Sequence, residues 1–118
     1  MNISIGIDIE EIKRFEGKEG NDRDRFLGKI FTDRELEWCL ARECPARHLA
    51  VRFSAKEAII KAFSDLDQAI FFNQIEIRKN KKNVPYAVTH LDDRYRIKIS
   101  MSHAEEYVAA VALILNIA

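Results

Sequence analysis

The stretch Arg52-Phe53-Ser54-Ala55-Lys56-Glu57-Ala58-Ile59-Ile60-Lys61-Ala62-Phe63 contains no glycine or proline and is rich in alanine, lysine and glutamate. Its length and propensity favour a helix over a strand. At about 100° per residue, Ser54, Glu57, Lys61 and Ser64 fall on one strip, while Phe53, Ile60 and Phe63 gather elsewhere with Ile59 beside them. The helix therefore has an apolar body and a narrow polar stripe. Glu57 stands four residues before Lys61, the favourable order for a surface ion pair. The stripe also suits one wall of a site in which Glu57 binds a metal and Lys61 a phosphate, provided a second carboxylate arrives from elsewhere in the chain.

Upstream, Pro45 suits the first turn of this helix, which then runs from Ala46 to about Ser64 and is the longest in the chain. Thr32-Asp33-Arg34-Glu35 is a capping box, so another helix begins near Asp33, shows Leu36, Trp38, Cys39 and Leu40 on its apolar side, and stops before Pro45. Arg23 to Phe31 reads as a short amphipathic helix, separated by Gly17, Gly20 and Asn21 from what precedes it. Ile3, Ile5, Ile7 and Ile9 alternate with Ser4, Gly6, Asp8 and Glu10, which predicts a half-buried strand with Asp8 on the face opposite the isoleucines. Ile12 and Phe15 then suggest a short helix or turn from about residue 11.

Downstream, Ile75-Glu76-Ile77-Arg78 and Val84-Pro85-Tyr86-Ala87-Val88 flank the polar run Lys79 to Asn83, which predicts a hairpin whose second strand, with Pro85, lies at an edge or is irregular. Tyr95, Ile97, Ile99 and Met101 alternate with polar residues in a strand that runs towards His103. Tyr107 to Leu115 is almost wholly apolar and too short for a typical helix, so a central strand covered on both faces is expected. The order predicts an α+β fold, an antiparallel sheet packed against helices that include one long one, in a single domain over residues 1–118.

The 118 residues are 47% hydrophobic and 32% charged, and no apolar run approaches the ~20 residues of a spanning helix. Met1-Asn2-Ile3-Ser4-Ile5 lacks a basic flank and a small-residue cleavage site, so a cytoplasmic location is expected. Basic and acidic residues balance at 19 each, which gives no field for nucleic acid. Cys39 and Cys44 match no Cys-x-x-Cys spacing, so reduced thiols are expected and a zinc site is not.

Packing the long helix on the first strand would bring Asp8 and Glu57 together. Two carboxylates with positions left for water and phosphate oxygens suit Mg²⁺. Arg52, Lys56 and Lys61 add the positive charge that a phosphate-rich substrate requires. Ser102-His103 ends a strand, where functional side chains are commonly presented.

Gly6-Ile7-Asp8-Ile9-Glu10-Glu11-Ile12-Lys13-Arg14-Phe15, Phe31-Thr32-Asp33-Arg34-Glu35-Leu36, Arg52 to Phe63 and Ile99-Ser100-Met101-Ser102-His103 resemble, in order, the signature blocks of holo-acyl-carrier-protein synthases, the small class of 4′-phosphopantetheinyl transferases. The resemblance implies transfer of the phosphopantetheine arm of coenzyme A to a serine hydroxyl of acyl carrier protein, with adenosine 3′,5′-bisphosphate leaving. It implies that Asp8 and Glu57 hold Mg²⁺ on the diphosphate and that Lys61 is directed at the donor phosphates. Asp8, Glu57 and a metal-held water remain open as the base. Arg52, Lys56 and His103 match positions lining the coenzyme pocket. Arg14 matches a contact to the acidic helix of the carrier protein, with Arg25, Phe26 and Lys29 in the segment that does the same. A homotrimer with active sites shared between neighbours is also implied.

The chain departs from the pattern after Phe63, where Ser64-Asp65-Leu66-Asp67 replaces a Gly-Thr-Gly-like turn. Two acids beside a phosphate pocket are unfavourable, and they leave an alternative expectation: a carrier-protein-binding module of the same fold without catalysis. The family's Gly-Lys-Pro in the hairpin is also replaced, by Asn83-Val84-Pro85.

Overall fold

Strand β1 (Ile3–Glu11) pairs antiparallel along its length with β5 (Tyr107–Asn116), Ile3 opposite Leu115 and Glu11 opposite Tyr107. In this computed structural model, which describes residues 2–18 and 25–118 with the side chain of Arg25 left out, β5 also pairs antiparallel with β4 (Tyr95–His103). The order β1-β5-β4 places the most apolar strand in the centre, as expected. A second, two-stranded sheet is formed by β2 (Ile75–Lys79) and β3 (Pro85–Thr89). Pro85 is the first residue of β3, where a missing N–H is tolerated.

Among the described residues there are three α-helices, α1 (Arg25–Ile30), α2 (Asp33–Leu40) and α3 (Pro45–Ser64), of which α3 packs on both sheets and α2 on the smaller one. A 3-10 turn at Ile12–Phe15 follows β1, and another at Phe72–Gln74 precedes β2. The fold is thus α+β, antiparallel sheets packed against helices. The expected break at Gly20 and Asn21, and the Arg23 start of the first helix, lie outside the described residues.

The capping box is present in full. Thr32 Oγ1 accepts from the Glu35 N–H at 3.2 Å, and the Thr32 N–H returns to Glu35 Oε1 at 2.9 Å. The exit of α3 is closed by the Leu66 and Gln68 N–H groups, which both donate to the Phe63 carbonyl, with Asp67 at φ +54°. Asp67 therefore fills the left-handed position for which glycine is the usual residue.

Helix α3 lies across β1 and β5, and Ala55, Ala58, Ile59, Ala62 and Phe63 pack with Ala110, Ala112 and Ile114. A second cluster joins its first half to Phe15, Leu27, Phe31 and Leu36. The alternation in β1 is as expected, but the buried side is the one carrying Ser4, Gly6 and Asp8, while Ile5, Ile7 and Ile9 are 67%, 68% and 66% exposed. The reason is the closeness of α3. A Cβ on Gly6 would land on the Ala58 carbonyl oxygen and against the Ala62 N–H, so only a face of small side chains fits there. Strand β5 is central, but the expectation that both its faces are covered is corrected: one face is. Val108, Ala110, Ala112 and Ile114 are buried beneath α3, while Leu113 and Leu115 stay exposed beside the isoleucines of β1.

Candidate active site

Asp8 is held from three directions. Ser54 Oγ donates to its carbonyl at 3.0 Å, Lys61 Nζ donates to the preceding Ile7 carbonyl at 3.0 Å, and the same ammonium pairs with Asp8 Oδ1 at 3.3 Å. Ser54 and Lys61 are two turns apart on α3 and so lie on one face, which is how one helix grips one strand. Asp8 Oδ2 is buried with no N–H or hydroxyl donor, and the Glu10 carboxyl lies within hydrogen-bonding reach of Asp8. A buried, unpartnered carboxylate oxygen is costly and calls for a cation or a proton.

Glu57, one turn before Lys61, completes the pair. Burial and then the Asp8 charge raise its carboxyl above the usual carboxylate range, against the pull of Lys61 and Arg14. Glu10 joins them from β1. Its carboxyl is pushed up to about 7, chiefly by burial and then by Asp8, while Arg14 at 3.0 Å pulls it down. Three carboxyls, one ammonium and one guanidinium thus form a single electrostatic group. Glu10 was not among the residues singled out from the sequence, although a position two residues after Asp8 on a strand shares its face.

A cleft of about 480 Å³ opens alongside, lined by Ile9, Glu10, Glu11, Lys13, Arg14 and Tyr107. The guanidinium of Arg14 lies 4.8 Å from the Phe53 ring centroid and 5.5 Å from that of Phe26, which fixes α1 beside this cleft. Lys29 is exposed on the same short helix.

Arg52 belongs to a different place. It precedes Glu57 by five residues, which sets the two about 140° apart around α3. Its side chain is 2% exposed, stacked 4.1 Å from the Trp38 ring centroid, with one guanidinium nitrogen donating to the His48 carbonyl at 3.4 Å and Nε buried without a partner. Arg34, Arg78 and Lys79 line a cavity of about 100 Å³ with it. Next to this, Arg47, His48, Lys79, Ser102 and His103 border a cavity of about 210 Å³. Burial, followed by Arg52, Arg47, Lys79 and Arg42, drives the His48 imidazole down to about 4. The region is strongly cationic and fits an anionic ligand group.

Lys56 is not in either site. It is wholly buried, ion-paired with Glu35 at 2.6 Å, and donates to the carbonyls of Ile30 at 2.7 Å and Phe72 at 3.0 Å. The expectation that it lines a coenzyme pocket is corrected on this ground: an ammonium has three protons, and all three are used inside the protein.

The profile described as the 4′-phosphopantetheinyl transferase superfamily matches residues 4–112 of the chain. The chain belongs to this family. It is similar to the holo-[acyl-carrier-protein] synthase of Chlamydia muridarum, with 40% identity covering 92% of this chain and 91% of that one. The corresponding synthase of Protochlamydia amoebophila is 38% identical, covering 96% of this chain and 98% of that one. The solved structure of a holo-(acyl-carrier-protein) synthase from Bacillus anthracis in complex with CoA (3′,5′-ADP) superimposes with a TM-score of 0.80 at 28% identity, covering 96% of each chain.

The chain is accordingly an enzyme, a phosphopantetheinyl transferase, and the non-catalytic alternative is not favoured. Within this transferase the structure brings Asp8, Glu57 and Lys61 together and adds Glu10 and Arg14. It sets Arg52 and His103 in a separate cationic region and Lys56 in the interior. Among the described residues, no three or more His, Cys, Asp or Glu side chains are grouped to hold a metal ion. The oxygen pair from Asp8 and Glu57 suits an ion such as Mg²⁺, which takes one or two carboxylates and completes its shell with water and phosphate. At the exit of α3, Ser4 Oγ donates to the Ala62 carbonyl at 2.7 Å, with Asp65 Oδ2 farther off at 3.3 Å, so Asp65 keeps its charge.

Proposed function

We propose that this transferase moves the 4′-phosphopantetheine arm of coenzyme A to a serine hydroxyl of apo acyl carrier protein, Mg²⁺-dependent and with release of adenosine 3′,5′-bisphosphate, as one domain over residues 1–118 serving fatty acid biosynthesis in the cytoplasm. The observation that carries the reading is the buried carboxylate of Asp8, short of N–H and hydroxyl donors at Oδ2, in a group with Glu57, Glu10 and Lys61. Asp8 and Glu57 would hold the ion; when bound, it supplies charge neutralisation at the diphosphate and aligns it for in-line attack. Lys61, half exposed while paired to Asp8, turns its ammonium to the donor phosphates. The cationic cavities around Arg52 and His103 receive the anionic end of coenzyme A. Arg14, Phe26 and Lys29, with Arg25 in the same segment of sequence, would meet the acidic helix of the carrier protein, because opposite charge steers encounter and apolar contact holds the docked state.

The carboxylates and the Arg52 region point different ways from α3, and the apolar face of Ile5, Ile7, Ile9, Leu113 and Leu115 is open in a single copy. Both features suit a homotrimer in which one coenzyme spans two neighbouring subunits. The function is tested by incubating the protein with coenzyme A, Mg²⁺ and apo acyl carrier protein and following the carrier's mass. The expected result is the gain of one phosphopantetheine arm, lost in Glu57→Ala with the fold intact. No mass gain, under conditions where a working synthase gives one, would overturn it.

A further inference from the structure

One buried ammonium ties several segments of the fold to a single point on α3. Lys56 Nζ donates to the Ile30 carbonyl at 2.7 Å, to Glu35 Oε1 at 2.6 Å and to the Phe72 carbonyl at 3.0 Å. Its partner is equally committed. Glu35 Oε1 also accepts from the Thr32 N–H at 2.9 Å, and Oε2 accepts from the Ile77 N–H at 2.7 Å. Both side chains are fully buried, and the Phe31 ring centroid lies 5.3 Å from the ammonium. The end of α1, the cap of α2, the turn before β2, β2 itself and α3 therefore meet at one ion pair.

Net stability is a poor account of such a pair. Taking two charges out of water costs about as much as their attraction returns, and apolar residues of the same volume often serve as well. What the pair supplies is direction, through short charge-assisted bonds that hydrophobic contact does not specify. The end of α1 depends on it most. Its last residue, Ile30, offers its carbonyl to the cation, and a carbonyl at a helix C-terminus has no partner within the helix. Phe26 and Lys29 ride on this helix. Lys56 directly precedes Glu57, so the turn of α3 that fixes α1 also carries the carboxylate that faces Asp8.

We propose that Lys56, with Glu35, is a positioning residue for the carrier-protein side of the reaction: the pair sets where α1 stands relative to Glu57 and touches neither coenzyme A nor the acceptor. The inference rests on the transfer to a carrier protein proposed above, and it gives a role to a lysine whose place in the motif suggested a phosphate contact.

The test uses Lys56→Met and the double variant Glu35→Gln with Lys56→Met, which leaves no unpaired charge inside the protein. Steady-state kinetics with coenzyme A and apo acyl carrier protein are run beside hydrogen–deuterium exchange of the same proteins. Both variants are expected to raise the KM for carrier protein by about tenfold or more and to leave the KM for coenzyme A within about twofold. Amides of residues 26–31 and 72–77 should exchange faster, and those of β1 and β5 should not. A rise in KM for coenzyme A with an unchanged carrier KM would make Lys56 a coenzyme contact and overturn the proposal. Wild-type kinetics and exchange in the double variant would overturn it too, as would a double variant that does not fold, since the pair would then serve the whole structure. If the wild-type protein transfers nothing, the proposed function falls instead, and the exchange data alone decide whether the pair holds α1.

Discussion

Gly6 and Asp8 sit two residues apart on the same face of β1, one with no side chain and the other with the charge the site needs. The glycine lets the Ala58 carbonyl approach, and Asp8 is thereby carried up to Ser54 and Lys61. Gly6→Ala is expected to destabilise the protein by about 3 kcal/mol or more, because the methyl meets main chain, which cannot rotate aside. Chemical denaturation measures this, and a loss under about 1 kcal/mol would contradict the close approach. A second residue-scale expectation concerns pH. His48 titrates near 4 in the folded protein instead of at its ordinary 6.5, held down by burial and by Arg52, Arg47, Lys79 and Arg42. Between these values the unfolded chain takes up a proton that the folded chain refuses, so stability falls as pH drops from 7 towards 4. Glu10, raised to about 7, works in the opposite sense. The readout is therefore a comparison: His48→Asn should lose less stability than the wild type between pH 7 and pH 5, by urea midpoint, and equal losses would remove His48 from the balance.

At the scale of elements, the chain was legible wherever a local rule sufficed. The Thr32 to Glu35 capping box started α2 where its spacing said, Pro45 opened α3, and the central place of β5 followed from its apolar run. The strand face and the helix stripe suggested that Asp8 and Glu57 could meet, and the Asp8 charge does act on Glu57; that the two share an ion is the proposal made above. Directions around the helix were not legible. Lys56 and Glu57 are neighbours in sequence, yet the first turns inward to Glu35 and the second towards β1, a difference of about 100° that motif membership does not convey. Glu10 is not marked out by the sequence, because its raised carboxyl comes first from its own burial and then from Asp8 beside it, and both need the fold. The α3 exit shows how the chain manages without glycine: Asp67 accepts the left-handed conformation, which aspartate tolerates better than most residues.

For the whole molecule, the telling feature is a sheet with two unlike faces. The alternation of β1 gave the strand but not its inside, because the small, polar side is pressed on α3 and the isoleucine side faces outward. Ile3, Ile5 and Ile7 stand opposite Leu115, Leu113 and Val111, so the outward side is one continuous apolar surface built from two strands. Larger apolar patches of this kind mark interaction surfaces. Sedimentation of the wild-type protein is expected to give three copies per particle. Ile7→Glu, at a position 68% exposed in one copy, should yield monomers that remain folded and lose transfer. A fully active monomer would show that the two cationic and acidic regions of one chain suffice.

The meeting of β1 and α3 at Gly6 has one more consequence. Main chain rests on main chain there, so the separation between the backbones that bear Asp8 and Glu57 is gauged by atoms every amino acid possesses. A residue with no side chain thus sets how near the two backbones come, and the reach of the two carboxylates towards each other starts from that separation.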